Sequence, residues 1–135
     1  MTNGEVLNLF ETLERISRNK DLKFKVGVGF LMAKNREILR PEAKIIYQLR
    51  QDIINKYATQ QDNGDLLVPK LKIDEVNNKI NELMGLQNDV RIWQISIEEF
   101  DGEGIELGLE DFNGLMHMLY IPEYTGKPIE EKQEQ

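Results

Sequence analysis

Cysteine is absent from the 135 residues, and histidine occurs once, as His117. Without a thiol there is no disulfide and no thiolate metal ligand, which points to a reducing compartment. A single imidazole rules out a histidine-rich zinc or iron site within one chain, and a Ser-His-Asp triad would have to use His117. Apolar runs are short, and none reaches the roughly 18 residues that cross a bilayer. Met1 to Phe10 has no basic stretch followed by an apolar one, so it does not read as a signal peptide. The expected setting is a cytosol, or a particle assembled in one.

Basic residues are also in short supply: 17 Lys/Arg stand against 24 Asp/Glu, for a net charge of −7. The deficit is local. Residues 1–60 hold 11 Lys/Arg against 7 Asp/Glu, whereas residues 61–135 hold 6 against 17. Phosphate binding needs clustered positive charge, so a general nucleic-acid binder is disfavoured. The split fits two solvated faces. It also fits head-to-tail assembly of copies, or an acidic face aimed at a basic partner.

What is present suits one globular domain. Apolar residues make up 40% and charged residues 30%. A chain of this size buries roughly 70% of its unfolded surface.

Thr2 and Glu5 stand three apart before an apolar run, the spacing of a capping box. Val6, Leu9, Leu13 and Ile16 then recur at helical intervals, predicting a helix over residues 3–18. Residues 22–30 can be read in two ways. Leu22, Phe24, Val26, Val28 and Phe30 alternate with Lys and Gly as in a strand, while Phe24, Val28 and Leu31 share a helical face. The helical reading is preferred, with Gly27 and Gly29 allowing close approach to the first helix, although each glycine costs about 1 kcal/mol. Pro41 suits the first turn of a new helix. Ile45, Ile46, Leu49, Ile53, Ile54 and Tyr57 then form an apolar stripe, so residues 41–58 are the surest helix.

Asn63-Gly64 marks a turn, and Leu66 to Val68 a short extended piece before Pro69. Asp74 is expected to cap a helix that ends at Gly85. Val90, Ile92, Trp93, Ile95 and Ile97 make residues 89–100 the best strand. Gly102, Gly104 and Gly108 make a loop, and Leu109 to Leu119 a last helix ended by Pro122.

Each sign of chemistry has a plainer alternative. Gly27-Val28-Gly29 resembles the start of a dinucleotide loop, but Met32 stands where the third glycine belongs and no acidic residue follows on a strand. Glu99, Asp101, Glu103, Gly104 and Glu110 match positions one, three, five, six and twelve of a calcium loop. Position one is normally Asp, and position eight, Glu106, should be apolar, so a solvated acidic turn is the better reading and weak calcium binding the alternative. Glu98–Glu99 and Glu110–Asp111 could do acid/base work only if desolvated in a pocket. His117 reads as a partly buried structural histidine, and Trp93 as core or else an exposed anchor. No catalytic, cofactor or metal residue is assigned, and the binding face is left open.

The run GFLMAKNREILRPEAKIIYQLRQDIINKYATQQDNGDLLV carries a resemblance. With the opening NGEVLNLFETLERI, the steps Ala33-Lys34-Asn35 and Lys56-Tyr57, the turn Asp62-Asn63-Gly64, and the later VRIWQISI and LEDFNGLMHML, it resembles a family of small uncharacterised helical proteins of tailed bacteriophages and prophages, chiefly of Gram-positive hosts. The likeness spans most of residues 3–120, on loose apolar and turn patterns. Gly27, Gly29 and the acidic stretch Asp101–Glu106 depart from it. The resemblance brings no catalytic residues. It implies a phage-encoded protein of the host cytoplasm or the virion.

The expected fold is α+β and helix-dominated. An antiparallel helical hairpin, residues 3–18 against 22–58, carries a small helix–strand–helix unit. Residues 1–122 form one domain and residues 123–135 a polar tail. The expected function is a non-enzymatic protein-interaction module, most simply a virion structural or assembly accessory that binds protein and self-associates. The alternative is an inhibitor of a host defence or regulatory protein. No membrane and no cofactor are implied.

Overall fold

Thr2 starts the first helix as its spacing predicts. In the computed structural model, which describes residues 1–100 and 106–122, the Thr2 hydroxyl accepts from the Glu5 N–H at 3.2 Å and the Glu5 carboxylate accepts from the Thr2 N–H at 2.7 Å. Two donors that helix geometry leaves without partners are thereby satisfied. Helix α1 covers Asn3–Ser17 and buries Val6, Leu9, Leu13 and Ile16 on one face.

Residues 22–25 form an extended link without a strand partner. Leu22 and Phe24 lie half-buried against the core while Lys23 and Lys25 face out. The alternation seen in the sequence is therefore real, but it stops at Val26, where helix α2 begins. Phe24 packs edge-on against Phe100, with ring centroids 5.9 Å apart.

Helix α2 runs without interruption over Val26–Tyr57, with Pro41 inside it. The expected break at Pro41 does not occur. An interior proline costs about 3 kcal/mol through its missing N–H and its clash with the preceding turn. Here Leu39, Ala43 and Ile46 are all buried on one face across the proline, and a break would rotate one set out of the core. Each buried leucine or isoleucine contributes about 1.5–3 kcal/mol, so packing outweighs the local cost. Helices α1 and α2 form the expected antiparallel hairpin.

Beyond α2 the chain turns back through β1, Thr59–Gln60, and β2, Leu66–Leu67, paired antiparallel with Thr59 opposite Leu67. Gly64 adopts φ +91° at the tip, a conformation that favours glycine. The Asn63 side chain accepts from the Asp65 N–H at 3.0 Å and fixes the same turn.

A 3₁₀ turn, Lys70–Lys72, leads into α3, Ile73–Gly85. Asp74 is in the first turn of α3 and does not cap it; the cap position is Lys72, which makes no side-chain bond. There the carboxylate meets the positive end of the helix dipole. Gly85 is the last helical residue, and Leu86 caps the end in an extended conformation. That end is tied to the start of α1: the Asn3 N–H donates to the Leu86 carbonyl at 2.9 Å, and the Asn3 side chain to the Leu83 carbonyl at 2.9 Å.

The strand expected over residues 89–100 shrinks to β3, Ile95–Ser96, followed by a 3₁₀ turn, Ile97–Phe100. The last helix is likewise shorter than expected. Helix α4 covers Leu109–Gly114, a 3₁₀ turn follows at Met116–Met118, and β4, Leu119–Tyr120, lies parallel to β3. The fold is α+β and helix-dominated, as expected. One core joins its parts, with Val6, Leu9, Leu39, Leu115 and Met118 fully buried.

Candidate interaction surfaces

Among the described residues, Asn35 is the one side-chain amide with no exposure at all. It occupies a core position on α2, in the series Val28, Met32, Asn35, Leu39. Its side-chain oxygen accepts from the Trp93 N–H at 2.7 Å, and its side-chain nitrogen donates to the Trp93 carbonyl at 2.9 Å. A neighbouring strand would satisfy Trp93 in the same way, so the backbone of Trp93 needs no ladder. Inspection of the sequence misses Asn35. The signal that could have revealed it is its place in an otherwise apolar helical stripe.

Trp93 is not core: its main chain is clamped by Asn35, yet the residue is 49% exposed. Lys34 Nζ sits 4.6 Å from the Trp93 ring centroid and 5.3 Å from that of Phe30, itself 60% exposed. Phe30, Lys34 and Ile38 border a shallow groove on the outer side of α2. The result is a fixed aromatic platform with a cation at its centre, of the kind that favours anionic or polarised apolar partners.

Gly27 and Gly29 do not serve close packing, because a Cβ at either position would meet nothing within 4 Å. They open the first turns of α2 and carry no second glycine-rich feature. Gly29 borders a cleft of about 180 Å³ between the ends of α1 and α2, walled by Leu13, Ile16, Leu22, Phe24 and Met32. The glycine that packing requires is Gly114. A Cβ there would fall 2.0 Å from the Thr12 hydroxyl oxygen, on the buried face where α4 crosses α1.

The acidic pairs are separate, and all but the half-buried Asp111 are exposed. Glu98 and Glu99 lie on the 3₁₀ turn, with Glu99 3.9 Å from Lys25. Asp111 and Glu110 converge on Arg15, at 2.6 and 3.5 Å, and pin α4 to α1. The calcium-like pattern runs through residues 101–105, and the acidic stretch Glu130–Gln135 falls in 123–135; both lie outside the described residues. Among the described residues, no group of three or more His, Asp or Glu side chains is placed to hold a metal ion.

His117 is on a 3₁₀ turn rather than a helix, and it is more exposed than expected. Its Nε2 lies 3.2 Å from a Glu5 carboxylate oxygen, with 41% of its side chain exposed. The Thr2 N–H, opposed by partial burial and aided by the charge of His117, holds the Glu5 carboxyl below the usual carboxylate range. The pair thus joins the last segment to the first turn of α1.

On the opposite side of the hairpin, Tyr47 donates its hydroxyl to Glu11. Burial and that hydrogen bond push the phenol up to about 12. Glu14 gathers Arg18, Arg36 and Arg40 within 3.7 Å, so the polar groups of this face serve to join α1 to α2. No helix among the described residues is long and apolar enough to cross a membrane. No protein-family model, curated protein or solved structure matches the chain.

Proposed function

We propose that this chain is a non-enzymatic protein-interaction module and, through its resemblance to a phage family, an accessory of virion structure or assembly. One observation carries the reading. Large apolar side chains are left exposed at fixed positions, among them Phe30, Trp93, Leu66, Leu67 and Leu71, while ion pairs on the surface join the chain's own elements. Rigid exposed aromatic and aliphatic groups are what association surfaces use. The Trp93 ring is costly to leave in water, and its main chain is held there by a buried amide.

The acidic excess of residues 61–135 favours the second reading, an inhibitor whose carboxylates occupy a basic groove of a host protein.

Deleting the gene from the phage or prophage that carries it separates the two. The accessory reading expects the chain in purified particles or their precursors, and incomplete particles in its absence. Normal particles that neither contain the chain nor need it would overturn that reading. Unimpaired assembly together with loss of infectivity only on a defended host would establish the inhibitor instead.

A further inference from the structure

The two ends of α2 carry exposed apolar side chains set in charge of opposite sign. At the N-terminal end, the platform of Phe30, Lys34 and Trp93 sits beside the α1–α2 link. Residues 20–34 hold four lysines against one aspartate. Among the described residues, the one ion pair these lysines make is that of Lys25 with Glu99, at 3.9 Å.

At the other end, roughly 40 Å farther along the helix at 1.5 Å per residue, the β1–β2 hairpin and the turn into α3 expose Leu66, Leu67, Leu71 and Ile73. Leu71 is 96% exposed. Residues 62–75 hold four carboxylates against two lysines, and Lys72 is engaged by Glu75 at 3.5 Å.

These ends cannot meet within one molecule, because α2 holds them apart. Two platforms facing each other would oppose lysine to lysine, and two tips carboxylate to carboxylate. A platform facing a tip places unlike charges around two apolar surfaces. We infer that copies of this chain associate head to tail, the Leu71–Ile73 turn of one seated on the Phe30–Lys34–Trp93 platform of the next, with Asp74 and Glu75 toward the lysines. The inference rests on the interaction-module reading and names a second copy as one occupant. Such a contact joins different surfaces of identical subunits, so it propagates into a closed ring or a filament.

Sedimentation of the full chain from micromolar to millimolar concentration tests this with two variants, each blocked at one end. Leu71→Asp blocks the tip, and Phe30→Ser with Lys34→Glu blocks the platform. Phe30 and Leu71 are exposed and Lys34 is half-buried, and circular dichroism matching wild type confirms folding. Should the double substitution unfold, Lys34→Glu alone replaces it.

Wild type is expected to gain mass with concentration. Each variant should associate at least about 30-fold more weakly, the loss typical of a hot-spot residue. An equimolar mixture of the two is expected to form a dimer and nothing larger, since it offers one intact tip and one intact platform. A wild type that stays monomeric overturns the inference, as do variants that assemble unimpaired or a mixture of folded variants that stays monomeric. Monomeric wild type that is nevertheless found in phage particles removes this contact and leaves the proposed function standing.

Discussion

At the scale of single residues, stability turns on three positions that face inward or across the hairpin. Gly114 lies so close to Thr12 that an added methyl has no room: the Thr12 Oγ1, Cβ and Cγ2 would be 2.0, 2.8 and 2.8 Å away. Gly114→Ala is expected to cost about 1–3 kcal/mol by overpacking, read from urea unfolding. Thr12→Ala in the same background should recover part of the loss, because it removes two of the three clashing atoms. Asn35→Leu keeps the branched outline of the side chain but strands the part-buried Trp93 N–H and carbonyl, at up to about 1–3 kcal/mol for each group left unpaired. Trp93 is the only tryptophan, so its emission reports directly on release of the 88–94 segment. A red shift with lower stability is the expected result, and an unchanged spectrum would show that the segment does not depend on the amide. Tyr47 gives a prediction about pH. Its folded value, about 12, lies above the ordinary 10 or so of a free phenol, so the fold favours the neutral form. The associated stability is present below pH about 10 and is lost as pH rises through about 12. The difference in phenolate absorbance between wild type and Tyr47→Phe should show this tyrosine ionising above the ordinary range of a free phenol.

At the scale of elements, what was legible depended on whether a residue's partner was near in sequence. The capping box of Thr2 and Glu5 and the Asn63-Gly64 turn are local, and both occur where the spacing places them. The apolar stripes of α1 and of the second half of α2 are also local patterns and define real helices. Residues 89–100 misled because Val90, Ile92 and Ile95 are inward-facing β-formers, as in a strand, but the backbone of Trp93 among them is met by a side chain 58 positions away, and strand pairing is confined to Ile95–Ser96. Pro41 misled because the packing of Leu39, Ala43 and Ile46 on α1 is invisible locally. Of the candidate surface, Trp93 was legible as an alternative anchor, but its platform with Lys34 needs the fold to assemble it. The glycines were exchanged in role: Gly27 and Gly29 meet nothing, whereas Gly114 is enclosed. It follows that Gly29→Ala, in open space on a helix, should stabilise the chain by about 0.5–1 kcal/mol by reducing the freedom of the unfolded state. A thermal melt would show this, and a loss of stability would mean that the turn needs its glycine for a reason outside the packing seen here.

At the scale of the whole molecule, burial is uneven along α2. From Val28 to Ile46 the helix is flanked by α1 and by the segments that carry Ile95, Leu115 and Met118, and its inward residues are buried. Past Ile46, no residue of α2 is fully buried. The hairpin and 3₁₀ turn that follow have no buried residue either, and α3 contributes only Val76 and Leu83. Free energies of local opening follow buried apolar contact, so the arm made by Gln48–Tyr57, β1, β2 and the start of α3 should open below the global unfolding free energy. The body should open only with it. Native-state hydrogen exchange is expected to find the amides of Leu9, Leu13 and Leu39 slowest, with those of Ile53 to Tyr57 and of Leu67 exchanging orders of magnitude faster. Uniform protection along α2 would mean that the helix behaves as one cooperative unit despite its uneven burial. The difference also bears on assembly. An arm that opens easily alone gains protection when its apolar tip is covered, so exchange in Leu66–Ile73 should slow as concentration rises while that of the body stays constant. A tip that remained unprotected in the assembled state would place the contact elsewhere on the molecule.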